Sequence, residues 1–160
     1  QIGNDENPVP VEVSYTLKRT AKTPFGDIPL PGGTWRLYEA DTGGRLQLIG
    51  ESGSSHTAPG TDIHLSAGSA FDLTAKRVQL TYTIRRDSTR TIGTADFRVT
   101  VTSAKDTAAT VDVIEERRGE WTVLSSSIPA EKLSSTRTRF RMRVPAKGET
   151  VLSYRVRVVW

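Results

Sequence analysis

Arg137-Thr138-Arg139-Phe140-Arg141-Met142-Arg143-Val144-Pro145-Ala146-Lys147-Gly148-Glu149-Thr150-Val151-Leu152-Ser153-Tyr154-Arg155-Val156-Arg157-Val158-Val159-Trp160 closes the chain and decides its fold class. Phe140, Met142, Val144, Leu152, Tyr154, Val156 and Val158 hold one parity. Arg137, Arg139, Arg141, Arg143, Ser153, Arg155 and Arg157 hold the other. A period of two sends successive side chains to opposite faces of an extended strand. Pro145-Ala146-Lys147-Gly148-Glu149 lies between the runs and has the composition of a hairpin loop. The stretch predicts two antiparallel strands paired as a hairpin, apolar inside and carrying a six-arginine face outside.

The same alternation recurs toward the N-terminus. Val11, Val13, Tyr15 and Leu17 predict a first strand. A hairpin is expected at residues 34–39 and 45–50 around Asp41-Thr42-Gly43-Gly44, and two short strands at 62–65 and 70–73 around Ala67-Gly68-Ser69. Val78, Leu80, Tyr82 and Ile84 form one expected inward set, and Phe97, Val99 and Val101 the next. Val111 with Val113, then Trp121 with Val123, continue the series. Residues 23–33 contain three prolines and three glycines, which no helical ladder tolerates. No segment carries apolar residues at helical spacing over three turns. Short strands with turn chemistry between them predict an all-β protein built as a β-sandwich. The expected organisation is a linker at 1–10, a first β unit at 11–75 and the sandwich at 76–160.

A chain of 160 residues buries about 70% of its unfolded surface. Hydrophobic and charged fractions of 36% and 25% are those of an ordinary globular protein. No run reaches the roughly 18 apolar residues of a membrane span. The start at Gln1, without an initiator Met or a signal pattern, is expected of a piece of a longer protein. Cysteine is absent, which removes disulfides, thiolate ligands and a thiol nucleophile.

Nothing in the sequence assembles a nucleophile, base and orienting group. Gly50-Glu51-Ser52-Gly53 and Gly68-Ser69-Ala70 both miss the nucleophile-elbow spacing. Of the two histidines, His56 lies in a loop and His64 alternates with Ile63 and Leu65, facing solvent. Asp62 and His64 share a strand face but are two ligands where a zinc site wants three. The glycine pairs flank strands, whereas phosphate loops feed a helix. No enzyme, metal or cofactor is expected.

The arginine stripe is the surface feature that asks for a partner. Like charges about 5 Å apart repel by about 0.8 kcal/mol in water. Asp96, Asp112, Glu115 and Glu131 lie in or near adjacent strands and can offset that repulsion, giving a solvated, paired face. The alternative is an anionic partner held by Arg137, Arg139, Arg141, Arg143, Arg155 and Arg157. The net charge of +4 and the lack of interleaved aromatics argue against nucleic acid. Trp35, Trp121 and Trp160 with Tyr38 offer a second reading, a sugar-stacking platform, although Trp35 and Trp121 share parity with Leu37 and Val123.

Motif order adds a resemblance. Ile28-Pro29-Leu30-Pro31-Gly32-Gly33, Trp35-Arg36-Leu37-Tyr38, Asp41-Thr42-Gly43-Gly44 and Leu46-Gln47-Leu48-Ile49-Gly50-Glu51 come first. His56-Thr57-Ala58-Pro59-Gly60, Gly68-Ser69-Ala70-Phe71-Asp72-Leu73 and Lys76-Arg77 follow. Trp121-Thr122-Val123, Ile128-Pro129-Ala130-Glu131-Lys132-Leu133, Val144-Pro145-Ala146-Lys147-Gly148 and the terminal strand close the order. It resembles the bacterial domain-of-unknown-function family at the C-terminal end of mucoidy-inhibitor-A-like proteins. That resemblance implies an immunoglobulin-like antiparallel β-sandwich for the second half, a periplasmic or cell-surface setting and no assigned activity. The expected role is a non-catalytic interaction or scaffold module of a larger cell-envelope or secreted protein. Its expected partner is a protein or an anionic envelope component. The alternative is a carbohydrate-binding module for envelope polysaccharide.

Overall fold

The computed structural model describes residues 5–40 and 43–160. Asp41 and Thr42 of the expected hairpin turn lie outside them. The described chain is all β and antiparallel. Its strands are β1 (Asp5–Leu17), β2 (Gly33–Ala40), β3 (Leu46–Ser54), β4 (Ile63–Arg86), β5 (Thr91–Ser103), β6 (Ala109–Glu116), β7 (Glu120–Ser126), β8 (Ala130–Lys132), β9 (Arg137–Val144) and β10 (Glu149–Val159). They form sheets of order β1-β4-β5-β10-β7, β2-β3 and β6-β9-β8. Two compact units result, Val11–Ala70 and Phe71–Trp160, the latter with the described residues before Val11.

In the unit Val11–Ala70, β2 pairs with β3 from Gly33↔Ser54 to Ala40↔Leu46, and a slip after Leu37 leaves Ile49 unopposed. The expected break at Ala67-Gly68-Ser69 does not occur. The chain runs straight through as β4, with Gly68 absorbing the irregularity at a φ of +87°. Ile63, Leu65 and Ala70 are buried, and so is Arg19, 1% exposed. Its guanidinium donates to the carbonyls of Phe25 (2.8 and 3.1 Å), Ala58 (2.9 Å), Thr61 (3.4 Å) and Ile28. The proline-rich segment is thereby tied to a charged centre. Gly26 is required there, because a Cβ would stand 1.7 Å from the Thr20 carbonyl oxygen. Phe25 takes a φ of +58°, a left-handed conformation that costs a bulky residue energy, and its ring is 63% exposed.

The unit Phe71–Trp160 is a sandwich. Phe97, Val99 and Val101 of β5 and Leu152, Tyr154 and Val156 of β10 are buried, as are Phe140, Met142 and Val144 of β9. Phe140 meets Tyr154 across the core with ring centroids 5.1 Å apart. The apolar parity of the closing residues is therefore inward, as the alternation predicts. The hairpin is not: β9 pairs with β6 and β8, and β10 with β5 and β7. Residues 145–148 carry the chain from one sheet to the other, so the two strands face each other through the core. An immunoglobulin domain keeps its last two strands as neighbours in one sheet. The pairing here supports the antiparallel sandwich without that refinement.

A second difference lies in β4. Opposed residues of an antiparallel pair share a face, and Arg77 and Gln79 oppose Val99 and Phe97. Those two polar residues turn inward, where the sequence predicts Val78 and Leu80. The register slips between Gln79 and Thr81, leaving Leu80 as an extra residue, 47% exposed. Beyond it, Tyr82 and Ile84 oppose Ala95 and Gly93 and so regain the expected parity, but Tyr82 is only half-buried and Ile84 is 53% exposed at the end of the sheet.

Candidate functional site

The fold divides the six predicted arginines. Arg137, Arg139, Arg141 and Arg143 alternate with the buried residues of β9 and so line the outside of the β6-β9-β8 sheet. Arg155 and Arg157 alternate with those of β10 and line the outside of the opposite sheet. One six-arginine face therefore does not form, because the connector crosses the sandwich instead of closing a hairpin.

On β9 most of the charge is answered in register. Arg141 opposes Asp112 and binds it at 2.8 and 2.9 Å. Arg139 opposes Glu131 and chelates it at 2.7 and 2.8 Å, with Asp112 at 3.5 Å. Arg137 lies 4.0 Å from Glu116. The hydrogen bond from Arg141 holds the Asp112 carboxyl below the usual carboxylate range. Arg143 has no acidic partner among the described residues.

The outer face of the other sheet differs. Its central row is Asp96 opposite Arg155, bonded at 2.7 and 2.9 Å. Arg155, then the Thr81 hydroxyl, lower the Asp96 pKa. One row along the strands, Arg98 opposes Ser153; one row the other way, Arg157 opposes Thr94. Arg98 and Arg157 are exposed and have no acidic partner among the described residues. Sequence reading missed Arg98, whose alternation with Phe97 and Val99 would have placed it there. A shallow open depression of about 330 Å³ lies over the central row. Leu80, Thr81, Asp96, Arg155 and serines 125, 126, 127 and 153 line it.

Glu115, expected among the offsetting acids outside, points into the core. It is 7% exposed and binds Arg77 at 2.8 and 3.2 Å and Arg117 at 3.2 Å. It also accepts the Tyr154 hydroxyl at 2.5 Å. The Arg77 and Arg117 guanidiniums lie 3.9 and 5.0 Å from the centre of the Phe97 ring. Burial, then the Glu115 charge, pushes the Tyr154 hydroxyl pKa well above that of free tyrosine. A cluster of this kind ties strands together.

The remaining candidates are engaged locally. Trp35 donates to the Ser54 hydroxyl at 2.7 Å and Trp121 to the Ser135 carbonyl at 3.2 Å, both half-buried, while Trp160 and Tyr38 are exposed. Asp62 accepts from Lys18 and from the Arg19 backbone, and His64 pairs with Thr16 at 3.0 Å. Among the described residues no three His, Cys, Asp or Glu side chains gather as metal ligands, and no helix is long and apolar enough to cross a membrane. Compared with known proteins, the chain matches no family model, no curated protein and no solved structure.

Proposed function

We propose that this chain is a non-catalytic interaction module of a larger cell-envelope or secreted protein. It contacts an anionic partner through the outer face of the β4-β5-β10-β7 strands. The observation that carries this reading is the contrast between the two arginine faces. On β9, Arg139 and Arg141 are neutralised in place by acids on neighbouring strands and Arg137 lies 4.0 Å from Glu116, so Arg143 alone lacks an acidic partner there among the described residues. On β5 and β10, Arg98 and Arg157 flank a depression with no acid to answer them among the described residues. The enclosure of Glu115 supports a non-catalytic role, since its oxygens are already taken by Arg77, Arg117 and Tyr154. The envelope setting is supported by the motif order that resembles the C-terminal domain of mucoidy-inhibitor-A-like proteins.

Poly-L-glutamate immobilised on a sensor surface tests the face. The whole chain is expected to bind it with affinity that falls steeply as salt rises. Arg98→Glu and Arg157→Glu each weaken binding several-fold, and Arg143→Glu on the opposite sheet leaves it nearly unchanged. Equal losses for all three variants, or no binding at low salt, overturn the reading.

A further inference from the structure

We infer that the anionic partner of this face is an acidic polysaccharide, seated on the Asp96–Arg155 row with its carboxylates toward Arg98 and Arg157. This rests on the reading of the face just given and adds the chemistry of the ligand. The floor of the depression is built of groups that recognise hydroxyls. Asp96 accepts from Arg155 at both oxygens and from the Thr81 hydroxyl at one, which leaves a lone pair on Oδ1 for a further donor. The Ser125 and Ser153 hydroxyls bond to nothing among the described residues. Ser127 accepts from the Ser153 amide and keeps a proton to donate. A row mixing donors and acceptors at this density matches sugar hydroxyls better than it matches an acidic peptide, which brings few.

Two register slips create the shape. The slip in β4 turns Leu80 outward at one wall, an apolar contact for ring C–H groups. The slip between Arg155 and Val156 brings Ser125 opposite Arg155 and passes over Leu124. Arg98 and Arg157 stand one row either side of the floor, each about 7 Å along the strand. Hydroxyl chemistry in the middle and unanswered cations at both ends suit a polymer with repeated carboxylates. The depression is open, which admits the middle of a chain as well as its end. It presents no exposed aromatic ring for a base to stack on, unlike single-strand nucleic-acid grooves.

Titration calorimetry of the whole chain with oligogalacturonate, poly-L-glutamate and a neutral maltooligosaccharide tests this. Oligogalacturonate is expected to bind most tightly. Arg98→Ala with Arg157→Ala weakens it about tenfold or more, about 1.4 kcal/mol. Ser125→Ala with Ser153→Ala weakens oligogalacturonate several-fold and leaves poly-L-glutamate unchanged. Equal binding of the two polymers, with no effect of the serine changes, overturns the saccharide while leaving the anionic face standing. Loss of neither ligand on removal of Arg98 and Arg157 overturns both. Maltooligosaccharide binding as tight as oligogalacturonate also overturns the proposal, because carboxylates would then play no part.

Discussion

Arg77 Nε stands 2.8 Å from Glu115 Oε1, joining β4 of one sheet to β6 of the other through the centre of the sandwich. Arg117 and Tyr154 complete the cluster over the Phe97 ring. Desolvating three charges is costly, and their mutual attraction repays it only while all partners are present. Arg117 Nε is already a buried donor with no partner among the described residues, which shows how little slack the cluster has. Glu115→Ala therefore destabilises the fold by about 3–5 kcal/mol, read by urea denaturation. Joint replacement by Arg77→Met, Glu115→Leu and Arg117→Met recovers most of that loss. A cost below about 1 kcal/mol for Glu115→Ala would show that the cluster does not tie the sheets together.

Tyr154 sets the alkaline limit. A pKa raised on folding favours the protonated form, so its contribution is whole below the unfolded value of about 10 and fades above it. Melting temperature is expected to decline beyond pH 10, as the hydroxyl ionises in the unfolded chain while burial and Glu115 keep it protonated in the fold. Tyr154→Phe removes that decline. An alkaline limb that is identical in the variant would contradict this.

The acid limit has the opposite sign. Arg155 lowers Asp96 and Arg141 lowers Asp112, so both stabilise the fold above about pH 4 and lose that as the pH falls through their folded values. Melting temperature falls below pH 4, and Asp96→Asn with Asp112→Asn flattens the fall. A slope unchanged by the double substitution would remove these two carboxylates from the account.

Much of the secondary structure is legible in the sequence, and the pairing is not. Alternation at Phe140–Met142–Val144 and Leu152–Tyr154–Val156 reports which side chains are inward, because the side-chain period of a strand is two. It is silent on whether the next strand is a neighbour in the sheet or a partner across the core. That silence misplaced the arginines on one face. Arg77 and Glu115 escaped for a different reason. A charged residue reads as outward unless a second charge buries with it, and theirs come from strands 38 residues apart in sequence. Arg98 shares the parity of an obvious strand and was available all along.

Arg19 shows the same blindness in the other unit. Arg19→Met leaves the carbonyls of Phe25, Ile28, Ala58 and Thr61 without their donor, and a loss of about 3 kcal/mol or more is expected. Phe25→Asn acts the other way. Asn adopts positive φ more readily, and the exposed ring contributes little burial, so stability rises by about 1 kcal/mol. Thermal melts of both variants check this; a Phe25→Asn protein less stable than the parent would mean that the ring is packed.

The separation of the arginines onto two faces is tested most directly by a distance. Arg137 and Arg157 would stand directly opposite each other if the closing strands formed a hairpin around Ala146-Lys147-Gly148. In the structure they lie on the outer faces of different sheets. Sheets pack about 10 Å apart and the labels project outward from both, so spin labels at positions 137 and 157 should report about 20 Å or more by pulsed dipolar spectroscopy. A separation near 10 Å would restore the single arginine face and contradict the account.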